Sequence, residues 1–205
     1  MSALIVILLL GGATAWWSER WGTSKPAKVA LVVLLVSGGH FIKLANSLLT
    51  GVPSPAASGQ WLAYEVYDWI PRFGINLIFA LDGMSLLLVA LTLLLGVVAL
   101  IASWSEIKIR TGFFQANLLW TLAGTVGVFV SMDLFLFFIF WEVMLVPMYL
   151  LIAIWGHEGR AQAATKFFIF TQASGLLMLL GVLGTALAYV NQTGYWSFAY
   201  MDWLE

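Results

Sequence analysis

Cysteine is absent from the 205 residues, which excludes disulfides, thiolate metal centres and thiol catalysis within them. Histidine is scarce. His40 and His157 stand too far apart in sequence to suggest a metal site, so no haem, iron–sulfur or zinc ligand set assembles from this sequence alone. Charge is scarce as well: only 9% of the residues are Asp, Glu, Lys or Arg, where soluble domains average about 25%. The formal net charge of −1 offers no attraction to nucleic acid or to an acidic substrate, and no nucleic-acid partner is expected. No two glycines stand four apart, so the simplest close-packing motif of membrane helices is missing. Internal repeats and low-complexity tracts are missing too. What remains is an apolar chain, 62% hydrophobic and rich in tryptophan, whose natural solvent is a lipid bilayer.

A bilayer core needs about 20 mostly apolar residues per helix. Six segments meet that length: about 1–17, 27–49, 82–104, 112–131, 132–155 and 164–190. The expected fold is therefore all-α and polytopic, with about six transmembrane helices in a single membrane domain over 1–205. The first segment is expected to be retained. No basic stretch precedes it, and Ser18-Glu19-Arg20-Trp21 is not a small-x-small cleavage site. The fourth and fifth segments are divided only by Ser131-Met132-Asp133, where Asp133 reads as a helix N-cap at a tight turn.

Loop charge sets the expected orientation. Arg20, Lys25 and Lys28 lie between the first two spans, Lys108 and Arg110 between the third and fourth, and Arg160 and Lys166 around the junction of the last two. If all six segments cross, these residues share a face, and only Lys43 and Arg72 fall toward the other. The positive-inside rule then places the three basic loops in the cytoplasm and the N-terminus outside, in the periplasm of a bacterial cell whose inner membrane holds the chain.

The outer connection, 50–81, changes character partway. Residues 51–59 are rich in Gly, Pro and Ser and read as a turn-rich stretch. Beyond them, Tyr64-Glu65-Val66-Tyr67-Asp68-Trp69-Ile70 and Phe73-Gly74-Ile75-Asn76-Leu77-Ile78-Phe79 flank Pro71-Arg72. The aromatic and β-branched arms predict a short β-hairpin on the outer surface. An interfacial amphipathic segment anchored by tryptophans is the alternative.

One carboxylate stands apart. Glu142, in Phe138-Ile139-Phe140-Trp141-Glu142-Val143-Met144, has no other charged residue within eight positions on either side. An ionised carboxylate at mid-bilayer costs roughly 2.5–3.5 kcal/mol on insertion scales, so an acid kept there calls for a partner, a wet cavity or a role in moving protons. A protonatable relay group is the functional reading of Glu142; a structural acid bonded to a neighbouring helix is the other. Pro147 follows five residues later and frees a carbonyl near Val143, bending the helix where water or a side chain can enter. Lys166, about one turn into the sixth span, reads as a lysine snorkelling to the headgroups, or else as a charge that tunes Glu142 from the cytoplasmic side. Thr171, Gln172 and Ser174 continue a polar stripe in the same span. His157, in Gly156-His157-Glu158-Gly159-Arg160, reads as solvated, with a proton antenna as its functional alternative.

The run Phe140-Trp141-Glu142-Val143-Met144-Leu145-Val146-Pro147-Met148-Tyr149, followed by Trp155-Gly156-His157 and by Ala164-Thr165-Lys166-Phe167-Phe168-Ile169-Phe170-Thr171-Gln172-Ala173-Ser174-Gly175, resembles the subunit M family of the proton-pumping NADH:quinone oxidoreductase, respiratory complex I. Ile70-Pro71-Arg72-Phe73-Gly74-Ile75 and Leu81-Asp82-Gly83-Met84-Ser85 carry the same resemblance. It implies the N-terminal part of an antiporter-like membrane-arm subunit, one that carries protons while other subunits carry electrons. Glu142 matches the family's mid-membrane glutamate, which pairs with a lysine on a seventh helix that this sequence lacks. Lys166 and His157 match family positions to which no firm role is carried over. The resemblance implies no cofactor in this chain, with NADH, FMN, iron–sulfur clusters and quinone in other subunits. Its implied partners are the other membrane-arm subunits, the lipid bilayer and the remaining C-terminal helices of the same subunit. As six spans holding one half of an ion pair, the chain reads as truncated and is not expected to pump alone. A subunit of a multisubunit sodium/proton antiporter or membrane-bound hydrogenase is the alternative among transporters, and a structural scaffold that moves no ions is the alternative outside them.

Overall fold

The computed structural model describes residues 1–49 and 61–203, and the side chains of 47–49 are left aside; the turn-rich stretch 51–59 lies outside the described residues. Among the described residues six helices carry the fold: α1 Ser2–Ser18, α2 Lys25–Leu49, α3 Gly83–Glu106, α4 Thr111–Val130, α5 Leu134–Trp155 and α6 Arg160–Thr193. Each is long and apolar enough to cross a membrane. The largest departure from the expected spans is α6, which begins at Arg160 rather than near 164. Its 34 residues extend over about 50 Å, more than the roughly 30 Å of a hydrocarbon core.

Between α2 and α3 the hairpin forms as expected. Strands β1 Ala63–Ile70 and β2 Ile75–Leu81 pair antiparallel, joined by a single helical turn over Pro71–Phe73. Gly74 closes the turn at φ +63°, a left-handed conformation that an L side chain resists. A Cβ there would also strike the Trp196 backbone carbonyl. Strand β1 is largely exposed, while Ile75, Ile78, Phe79, Ala80 and Leu81 of β2 are buried against the helices.

Helix α4 is the centre of the bundle. It packs on α1, α5 and α3, and more of it is buried than of any other described helix. Its Leu119, Val126 and Val130 share one dry cluster with Leu8 of α1 and Leu100 of α3. Helix α5 approaches it closely because α4 offers glycines at 124 and 127. A Cβ at 127 would overlap the Phe140 ring, and one at 124 would lie 2.8 Å from Met144 Cβ. A spacing of three, rather than the four sought in the sequence, achieves the approach here.

The α4–α5 junction is not the tight turn that its brevity suggests. Residues 131–133 run extended beside the hairpin: Ser131 pairs with Phe79, and the Met132 N–H donates to Ile78 O at 2.9 Å. Asp133 pairs on its other side with Ala199, while Leu134 N donates to Phe198 O and Tyr200 N to Met132 O. The hairpin, this link and the segment after α6 are thus stitched into one small backbone network at one end of the bundle. Met1 joins the same end, where its amine pairs with Glu65 of β1. The basic loops gather at the other end. Thr111 Oγ1 donates to Thr23 O at 3.1 Å, Trp155 Nε1 donates to Ile109 O at 2.9 Å, and the Trp155 ring meets Phe113 and Phe114.

Candidate functional site: a carboxylate between α5 and α6

Glu142 lies eight residues into α5, about 12 Å along the axis from its start. Its Oε1 is buried, and no hydrogen-bond donor reaches it among the described residues. Neither does a cation, since the ion pair found among those residues joins Met1 and Glu65. The carboxylate is pressed against α6 at Gly175, where a Cβ would overlap Oε1 and lie 3.4 Å from the carboxyl carbon. Gly175 belongs to the inward stripe of α6, with Ala164, Val182 and Ala186. These residues are small or medium-sized, so the α6 backbone comes close to α5. The Trp141 ring, stacked on Phe137 at 6.3 Å, flanks the same contact.

Toward the basic end, α5 and α6 part around a cavity of about 220 Å³ lined by Trp141, Met144, Leu145, Met148, Phe167 and Thr171. Thr171 stands one helical turn before Gly175, on the same side of α6. Pro147 is buried within α5, which runs on through it to Trp155. The carbonyl it leaves without a helical donor is that of Val143, next to Glu142.

The other residues singled out from the sequence lie apart from this carboxylate. Lys166 is exposed in the second turn of α6, nine residues and about 13 Å of helix before Gly175, and no ion pair joins it to Glu142 among the described residues. His157 is exposed in the α5–α6 loop. Among the described residues no group of three or more His, Cys, Asp or Glu gathers where it could hold a metal ion.

Asp133 is a carboxylate fully shielded from solvent at the start of α5. It accepts from Phe135 N at 2.9 Å and Leu136 N at 3.0 Å as the α5 cap, and from Asn76 N of β2 at 3.1 Å. Burial pushes its pKa above the ordinary Asp value, against the pull of those three N–H groups. Three residues went unremarked in the sequence. Gln115 and Asn117 of α4 are buried, each with its side-chain carbonyl oxygen unpartnered among the described residues. Amides inside an apolar span were the available signal. Gly175 closes the run that carries the family resemblance, but nothing in the sequence shows which side chain it faces.

A family model described as NADH:quinone oxidoreductase/Mrp antiporter, TM matches residues 131–202, which hold α5, α6 and the whole of this site. The chain is 47% identical to NADH-quinone oxidoreductase subunit M of Escherichia coli K12 over 207 residues, covering 98% of the chain and 41% of that relative. It is also 47% identical to the subunit M of Pseudomonas aeruginosa over 212 residues, again covering 98% of the chain and 41% of the relative. The chain thus spans about two fifths of the length of the curated relatives it matches. Among solved structures, respiratory complex I from Thermus thermophilus with bound NADH contains a chain that superposes with a TM-score of 0.75 at 21% identity, over 98% of this chain and 38% of that one. At that identity the likeness speaks for the fold.

Proposed function

The chain belongs to the NADH-quinone oxidoreductase subunit M family of antiporter-like membrane proteins, and from that premise we propose that it forms part of a membrane-arm subunit that moves protons while NADH oxidation and quinone reduction proceed elsewhere. The observation that carries this reading is the half-buried Glu142 carboxylate: mid-helix, with Oε1 buried and unpartnered among the described residues, beside a cavity that reaches toward the basic end.

Such a carboxylate has two contrasting states. Neutral, it tolerates the apolar contact of Trp141 and α6; ionised, it needs a cation or water to replace lost solvation. A cation brought near it, such as a lysine on a helix beyond this sequence, favours the ionised form, and withdrawal of that cation favours proton uptake. Each such cycle can take a proton from one side and release it to the other. Pro147 supports it by leaving the Val143 carbonyl free to hold a water or a moving side chain. Lys166 and His157, both on the basic side, are assigned the outer reaches of the path: a surface cation at the headgroups and a titratable loop group.

In this proposal the described helices act as one membrane domain in a bacterial inner membrane, with the basic loops cytoplasmic and Met1 periplasmic. The chain itself holds no redox cofactor; NADH, FMN, iron–sulfur clusters and quinone belong to other subunits. A sodium/proton antiporter subunit is the second reading, favoured by the Mrp antiporters that share the matching family description.

The test is Glu142→Gln in the full-length subunit of an assembled complex, with proton pumping measured in inverted vesicles. The expected result is normal assembly with pumping reduced about tenfold or more, the scale on which proton-transfer groups act. Pumping that equals the parent would leave this part of the subunit as scaffold.

A further inference from the structure

We propose that Gly175 is the positioning residue for Glu142, its missing side chain providing the seat in which the carboxylate rests against α6. The inference rests on the relay reading and deepens it by naming what holds the acid. Glycine weakens a helix interior relative to alanine, so its presence mid-α6 calls for a local reason. The reason is specific to position 175. Gly181 and Gly184 in the same helix have open space where a Cβ would stand, whereas at 175 the Cβ would overlap the Glu142 oxygen and sit 3.8 Å from Trp141 Cδ1.

The atom in conflict is the end of a flexible side chain, and no backbone atom lies so near. A methyl group at 175 therefore turns the carboxylate out of its seat rather than prising α5 from α6. This separates a positioning role from a packing role. A packing glycine spaces two helices, as Gly124 does where the Met144 backbone lies 3.2 Å from its Cβ position. Gly175 faces a titratable group, and its substitution alters where that group sits and what can reach it.

The experiment compares Gly175→Ala with Gly181→Ala in the full-length subunit of the assembled complex. Modification of Glu142 by a hydrophobic carbodiimide is followed by peptide mass spectrometry, alongside the pH profile of pumping. For Gly175→Ala the labelling rate is expected to change by about threefold or more and the pH profile to move, because small displacements of a reacting group carry large rate effects. For Gly181→Ala neither should change. A Gly175→Ala labelling rate closer than that to the parent, or an equal change in Gly181→Ala, overturns the proposal. If Gly175→Ala does not assemble, Gly175→Ala is combined with Glu142→Asp, whose shorter side chain withdraws from the methyl group. Restored assembly then supports the seat, and its absence refutes it. Normal pumping in Glu142→Gln with altered labelling in Gly175→Ala would sink the relay reading and leave the seat standing.

Discussion

Asp133 and Glu142 lie within the same stretch of chain, yet their surroundings are opposite. Asp133 receives three backbone N–H donors, while Glu142 Oε1 receives none among the described residues. The first arrangement is that of a structural carboxylate. Asp133→Ala leaves the α5 amides and the Asn76 N–H short of an acceptor, at an expected cost of about 1–2 kcal/mol, the range of a lost helix cap. Asp133→Asn keeps an acceptor and should cost less. Because burial raises the Asp133 pKa, the folded state keeps its proton over a pH range in which the unfolded state has released it. Its stabilising contribution is complete below the usual Asp range and is lost as pH rises through the raised value. Relative to the parent, Asp133→Asn should thus gain stability between about pH 4 and neutrality. Thermal unfolding in detergent at both pH values checks the sign; a difference independent of pH would show that folding leaves the Asp133 pKa unchanged.

At the scale of elements, glycine placement decides which helices meet. Gly124 and Gly127 bring α4 onto α5, while Gly175 of α6 seats the Glu142 carboxylate of α5. At 127 the neighbour is the rigid Phe140 ring, so Gly127→Ala is expected to overpack the interface and cost about 1–3 kcal/mol. Adding Phe140→Leu should recover much of that loss. Melting temperature and assembled yield of the single and double variants report the outcome, and a single variant as stable as the parent would mean that the interface yields freely. The hairpin was legible from its aromatic and β-branched arms around Pro71-Arg72. The extended link 131–133 was not, because a segment of three residues carries no periodicity. Its strand-like form comes from partners on both sides, β2 and Ala199, that are remote in sequence.

For the molecule as a whole, the two ends of the bundle carry different chemistry. Hairpin, Met1 and the segment after α6 share one end, and the loops bearing Arg20, Lys25, Lys108, Arg110 and Arg160 share the other. The absence of cysteine makes their sidedness directly measurable. Glu158→Cys and Tyr67→Cys place single thiols at exposed positions on opposite ends. A membrane-impermeant maleimide should label position 158 only in inverted vesicles and position 67 only from outside intact spheroplasts. The reverse pattern would invert the proposed orientation.

Hydropathy alone determined the number of spans, because a chain this apolar meets water only at its breaks. Charge placed the basic loops on a common end, and isolation in sequence singled out Glu142. These properties can be read one residue at a time along the chain. The tertiary structure decided which neighbour each helix presents to the next: that Glu142 faces Gly175 and lies far from Lys166, that Gln115 and Asn117 point inward, and that residues 131–133 join the hairpin. A soluble amphipathic helix announces its inner face by polarity, but a helix such as α5 is apolar on nearly every side. Its rotation about its own axis is set by close packing between neighbours, and that information resides in the contacts between helices.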